Sequence, residues 1–101
     1  MAQSYRKIEA VTKTLEILEF LATQREPVNG PDIARAIGLP VGTVMCHLAT
    51  LEDKNFIRRV SGCIELGMGA ATIWAKKKSL LERQRDLINR DIRKLEEGAN
   101  V

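Results

Sequence analysis

Pro31, Gly38 and Pro40 leave the middle of this chain few ways to fold. A proline suits the first turn of a helix, where its missing N–H has no intrahelical partner, and a glycine just past the end supplies the left-handed residue that stops one. Pro31 to Ile37 therefore reads as a short helix closed by Gly38, with Ile33, Ala34 and Ile37 facing one way. Pro40 cannot lie inside a helix, so a second helix starts at or after it and about three residues remain for the turn. Two helices joined so tightly cross steeply. In the second, Val44, Leu48 and Leu51 form an apolar stripe, which turns Gly42, Met45, Cys46, Ala49 and Asp53 outward. A helix presented in this way has the geometry that enters a major groove.

Downstream, Phe56 to Val60 and Cys63 to Leu66 flank Ser61-Gly62 and predict a hairpin with a two-residue loop. Such a loop pairs Val60 with Cys63, Arg59 with Ile64, Arg58 with Glu65 and Ile57 with Leu66. The Ile57 and Leu66 side is expected to face the core. Arg58 and Glu65 are expected to meet on the outer face, a contribution of a few tenths of a kcal/mol when exposed. That leaves Arg59, near the tip, as the better placed of the two arginines for phosphate. Gly67-Met68-Gly69 reads as a joint, after which one helix runs from Met68 to about Glu97. Ile73 with Trp74, Leu80 with Leu81, and Leu87 with Ile88, then Leu95, recur at a spacing of seven, with polar Lys77, Gln84 and Asp91 between them. At about 1.5 Å per residue this helix is roughly 40 Å or more long, and its narrow stripe needs a partner. Trp74, Leu81, Ile88 and Leu95 are the expected dimerisation seam, and packing back onto the first helix of the same chain is the alternative.

Upstream, Met1 to Tyr5 is polar and expected to be loose, and a helix is predicted from about Arg6 to Thr23. Its main stripe is expected to be Ile8, Val11, Leu15, Leu18 and Ala22, with Ile17, Phe20 and Leu21 on the other side. One core cannot hold both. Either the helix is sandwiched between the core and the C-terminal helix, or one side meets a second subunit. Gln24 to Gly30 reads as a connector, with Asn29 opening the next helix.

A chain of 101 residues holds one modest core, and with four aromatics that core must be aliphatic, which favours small helical packing. No run of about 18 apolar residues would span a membrane, and no apolar signal region follows the N-terminus. A cytoplasmic protein with reduced cysteines and no membrane partner is expected. Cys46, His47 and Cys63 match no zinc spacing, and neither a nucleotide loop nor a catalytic set is visible, so a non-enzyme without cofactor or metal is expected. His47 lies beside the apolar stripe and reads as a half-buried edge residue. Residues 1–67 carry eight Lys or Arg and eight Asp or Glu, and residues 68–101 carry eight and five, which together give the totals of 16 and 13. The whole excess of positive charge therefore lies in the C-terminal part, where Lys76, Lys77 and Lys78 are the densest cluster.

Gly38-Leu39-Pro40, Thr43-Val44, Leu48-Ala49-Thr50-Leu51-Glu52, Phe56-Ile57-Arg58-Arg59 and Leu66-Gly67 together resemble the N-terminal winged helix-turn-helix domain of IclR family transcriptional regulators, over roughly Ile8 to Gly67. The family pattern opens its reading helix with Lys-Ser-Thr-Val, then His or Tyr, then Arg. Here those places hold Val41, Gly42, Thr43, Val44, Met45 and Cys46, of which only Thr43 is polar. The family continues into a ligand-sensing domain, and this chain ends before one would fit, so no small-molecule effector domain is expected. The resemblance implies a mainly α (α+β) fold, a winged helix-turn-helix over 6–67 with a two-stranded wing and a long C-terminal helix over 68–98. It also implies a sequence-specific regulator that binds double-stranded DNA, here as a homodimer, with the second helix of the motif in the major groove. Val41, Gly42, Thr43, Met45, Cys46, Thr50, Lys54, Arg58, Arg59 and Ser61 are the expected contacts. The alternative, suggested by the neutral body, is a winged-helix adaptor for protein interaction or assembly with weak or no DNA binding.

Overall fold

The computed structural model describes residues 4–99; Met1 to Gln3, expected to be loose, lie outside the described residues. The order is α1 (Glu9–Ala22), α2 (Gly30–Ile37), α3 (Val41–Asp53), β1 (Ile57–Val60), β2 (Cys63–Leu66) and α4 (Gly69–Ala99), that of a winged helix-turn-helix with a long C-terminal helix. The chain divides into two compact units, the first ending at Gly69 and the second beginning at Ala70.

Local chemistry sets each boundary in the first unit. Asn29 Oδ1 accepts the Asp32 N–H at 2.8 Å, so Asn29 caps α2 as expected, and the helix begins at Gly30. Gly38 ends it at φ 79°, with its N–H on Ala34 O at 2.8 Å. The axis then turns by 106° into α3, within the range of DNA-binding helix pairs. At the far end of α3, Asn55 takes the left-handed conformation, φ 63°. Its N–H reaches Glu52 O at 3.0 Å and the Phe56 N–H reaches Leu51 O at 2.9 Å. This two-bond closure brings Phe56 back onto Leu51 and sends the chain into the wing.

The hairpin has the predicted register, Ile57 with Leu66 through Val60 with Cys63. Ser61 at φ 51° and Gly62 at φ 81° give the left-handed pair that a two-residue hairpin turn requires. Of the expected core pair, Ile57 is buried but Leu66 is 37% exposed, and Ile64 is buried in its place. Ile64 is held from a side that sequence reading missed: its N–H and C=O exchange bonds with Val28 at 2.7 and 2.8 Å, so the connector adds a one-residue bridge to the open edge of β2. Leu66 lies past that bridge, at the rim.

The core joins Ile17 and Leu21 of α1, Ile33 and Ala34 of α2, Val44, Leu48 and Leu51 of α3, and Ile57 and Ile64 of the wing. Burying each Ile or Leu contributes about 1.5–3 kcal/mol over leaving it in water. The expected main stripe of α1 is corrected here. Ile8, Val11 and Leu15 are more than half exposed, while Ile17 and Leu21 are buried with Leu18 and Phe20 packed beside them. The longer apolar run lost because the row that leads to buried Ile17 runs through half-buried Thr14, one turn before it, and not through Leu15 and Val11. A hydroxyl with local acceptors can sit inside, and hydropathy counts it as polar.

Gly67 and Gly69 make the joint. A Cβ on Gly67 would lie 2.4 Å from Asn55 O, and one on Gly69 2.9 Å from Asn55 O and Lys54 O. Their N–H groups bond Phe56 O and Asn55 O at 2.9 and 2.8 Å. The exit from the wing thus runs flush against the closing turn of α3. The second unit is α4, in which no residue is buried. Trp74, Leu81, Ile88 and Leu95 are exposed on it, together with Ile92, which the sequence reading left out of the seam. Among the described residues no single helix is long and apolar enough to cross a membrane.

Candidate nucleic-acid interface

Because Val44, Leu48 and Leu51 are buried, the helical period places Gly42, Cys46, Ala49 and Asp53 on the opposite, exposed side of α3. The first turn is open. Pro40 at the N-cap makes no side-chain capping bond, and the first helical N–H to find an acceptor is that of Val44, on Pro40 O at 3.0 Å. The N–H groups of Val41, Gly42 and Thr43 therefore point outward at the positive end of the helix. A Cβ at Gly42 would meet nothing within 4 Å, so the backbone here can be approached closely. Thr43 is exposed, and its hydroxyl makes no hydrogen bond among the described residues.

Two expected contacts are turned aside. Met45 leans on the start of α2, its sulfur 3.1 Å from where a Cβ on Gly30 would stand, and is 39% exposed. The Thr50 hydroxyl donates to Cys46 O at 3.2 Å. Cys46 is exposed as a free thiol, and Cys63 is a partly buried one. Among the described residues no three His, Cys, Asp or Glu side chains converge on a metal site.

His47 is half-buried, as expected, and its partner is a residue that sequence reading passed over. His47 Nδ1 lies 2.6 Å from Thr14 Oγ1, which also donates to Ala10 O at 2.8 Å. A hydroxyl has one proton to give, so with that proton on Ala10 O the imidazole Nδ1–H is the donor to Thr14 Oγ1. The pair ties α1 to α3 beneath a shallow groove of about 280 Å³ lined by Ala10, Val11, Thr14, Cys46, His47 and Thr50. Thr14, one turn before Ile17 on the inward row, was the available signal.

The wing is ion-paired on both faces. Arg58 Nε meets Glu65 Oε1 at 2.5 Å, the expected cross-strand pair. Arg59 Nε meets both carboxylate oxygens of Glu52 at 3.2 Å, so the expectation that Arg59 is the uncompensated arginine is corrected. Two residues after Ile57, Arg59 shares the inward face of β1 and leans towards α3, whereas the sequence argument considered strand partners alone. Lys13 and Arg35 are paired too, with Glu16 and Asp32. Among the described residues Arg6, Lys7, Arg25 and Lys54 make no ion pair, and Lys54 lies directly after α3. Ser61 stands exposed at the wing tip, and Lys76 to Lys78 are exposed on α4.

The model of the IclR helix-turn-helix domain matches residues 10–61, which span α1, α2, α3, β1 and the wing tip. This chain belongs to the IclR helix-turn-helix family. A crystal structure of an IclR family transcriptional regulator from Brucella abortus is similar, with a TM-score of 0.62 and 26% identity over 67% of this chain and 27% of that one. The chain thus spans about a quarter of the length of the solved IclR regulator that it matches. No curated protein matches it. The IclR-type domain is the DNA-binding element of transcription regulators, and in this chain the matched residues 10–61 lie within the unit that ends at Gly69.

Proposed function

We propose that the protein is a sequence-specific regulator that binds double-stranded DNA in the cytoplasm as a homodimer through α4, with α3 in the major groove. The observation that carries this is the uncapped, side-chain-poor first turn of α3, held at 106° to α2 by a packed core. Three outward N–H groups and the Thr43 hydroxyl suit a phosphate oxygen or a base edge, and Gly42 lets the helix approach deeply. Cys46 and Ala49 offer an apolar surface to a thymine methyl. Lys54, Ser61 and the exposed side of Arg58 flank this face as backbone contacts. Val41, Met45 and Thr50 border it and shape the fit.

Asp53 on the outward face, and Glu52 beside it, support a second reading. With a neutral body and a carboxylate on the reading helix, the same surface suits a protein partner, as in an assembly adaptor. Salt separates the two readings. Binding to mixed-sequence and selected duplexes at two salt concentrations should show a steep loss of affinity with salt and a preferred sequence. Absence of retention on any duplex at low salt would leave the adaptor.

A further inference from the structure

Gln84 is the centre of a mirror in α4. Outward in both directions, Arg83 answers Arg85, Glu82 answers Asp86, Leu81 answers Leu87, Leu80 answers Ile88, Ser79 answers Asn89 and Lys78 answers Arg90, the same chemical class at every step. At the next step the class is kept and the sign reverses, Lys77 against Asp91, and further out Ile73 answers Leu95. At 3.6 residues per turn the positions that break the mirror, Trp74 to Lys76 and Ile92 to Lys94, lie on the flanks or back of the helix, as do the matched pairs Arg83/Arg85, Glu82/Asp86, Ser79/Asn89 and Lys78/Arg90, so the face itself rests on Ile73/Leu95, Lys77/Asp91, Leu80/Ile88 and Leu81/Leu87. Between Ile73 and Leu95, the positions within about 60° of the Gln84 direction are Ile73, Lys77, Leu80, Leu81, Leu87, Ile88, Asp91 and Leu95. Exchanging each position before Gln84 for the one equally far behind it maps this whole inward set onto itself.

That exchange is what a two-fold axis through Gln84 does to an antiparallel pair of identical helices, and an isologous interface requires such self-complementarity. A parallel, in-register pair is two-fold as well, but it sets each residue against its own copy. There Lys77 would stand over Lys77 and Asp91 over Asp91, with Lys76 and Lys78 of both chains crowding the first repulsion. We infer that α4 pairs with α4 of a second copy in antiparallel orientation, with Gln84 at the axis and a Lys77–Asp91 pair at each end. This specifies, and rests on, the dimer proposed above. Leu80 and Leu81 then meet Ile88 and Leu87 on either side of the axis, which covers side chains that are 40–58% exposed on the single chain. The contact from Ile73 to Leu95 is about 33 Å long at 1.5 Å per residue. The two Gln84 amides, each donor and acceptor, satisfy one another, and a polar layer of this kind at the axis fixes register.

The test uses the full chain with Lys77→Glu, Asp91→Lys and the double variant Lys77→Glu/Asp91→Lys, with dimer affinity read by sedimentation equilibrium and helix content by circular dichroism. In the antiparallel dimer each single change turns two attractive contacts into repulsions and should weaken association about tenfold, while the double variant should return to within about twofold of wild type. A parallel dimer carries the same number of like-charge contacts in all four proteins. Equal affinities, or single losses that the double variant does not restore, would overturn the antiparallel register and leave the dimer standing. A wild type that is monomeric at high micromolar concentration would overturn the dimer itself, with the α4 face covered by something other than a second copy.

Discussion

Gly42 and Thr43 separate binding from stability more cleanly than any other residues of this protein. A side chain at Gly42 meets open space, and glycine costs up to about 1 kcal/mol in a helix relative to a good helix former and less in the first turn, so Gly42→Leu should raise thermal stability slightly. The same side chain would stand between α3 and the groove floor and should weaken DNA binding about tenfold or more, as titration and thermal melts together will show. An unchanged affinity would mean that this turn does not face DNA. Thr43→Val keeps the shape and removes an unpartnered hydroxyl. It should cost roughly 1 kcal/mol of binding, chiefly on the preferred site if the hydroxyl reads a base. At the wing, Lys54→Ala should lower the salt slope by about one, whereas Arg59→Ala should lower it by less, because Arg59 is already neutralised by Glu52. Equal slopes for the two variants would show that the Arg59–Glu52 pair opens on DNA.

At the scale of elements, the joint after the wing has the closest backbone approach of any glycine in the described residues. Gly67→Ala would place a methyl group 2.4 Å from Asn55 O, and backbone on both sides must shift, so the variant should lose about 1–3 kcal/mol in a denaturant titration. A loss below a few tenths would show that the closing turn of α3 yields easily. Backbone punctuation made most of this architecture legible from residues alone. The Pro31, Gly38 and Pro40 pattern, the Asn29 cap and the Ser61-Gly62 turn each act through their neighbours, and each element they bound was anticipated with its register. What was not legible depends on contacts between elements distant in sequence. Thr14 is half-buried with His47 and Ala10 answering its hydroxyl, Ile64 is held by Val28, and Arg59 is turned by Glu52. Hydropathy ranked the α1 faces by the length of their apolar runs. The protein ranks them by which residues have partners.

Across the whole molecule, charge and apolar surface divide between the two units. The unit that ends at Gly69 is neutral over residues 1–67 and has the core, whereas the stretch from residue 68 onward has the entire positive excess and, among the described residues, none that is buried. A neutral reading head gains little from phosphate attraction on its own, so a second head on the same duplex is the direct way to add contacts. Leu81→Asp sets a carboxylate in the middle of the α4 seam without altering any core residue. Sedimentation should find this variant monomeric at concentrations where wild type is dimeric, and thermal melts should find the winged body still folded. Its DNA affinity should fall, and because the number of neutralised phosphates scales with the number of heads, the slope of log affinity against log salt should drop to about half. A monomeric variant that keeps the full slope would mean that one copy makes every phosphate contact, and that pairing through α4 serves something other than binding DNA.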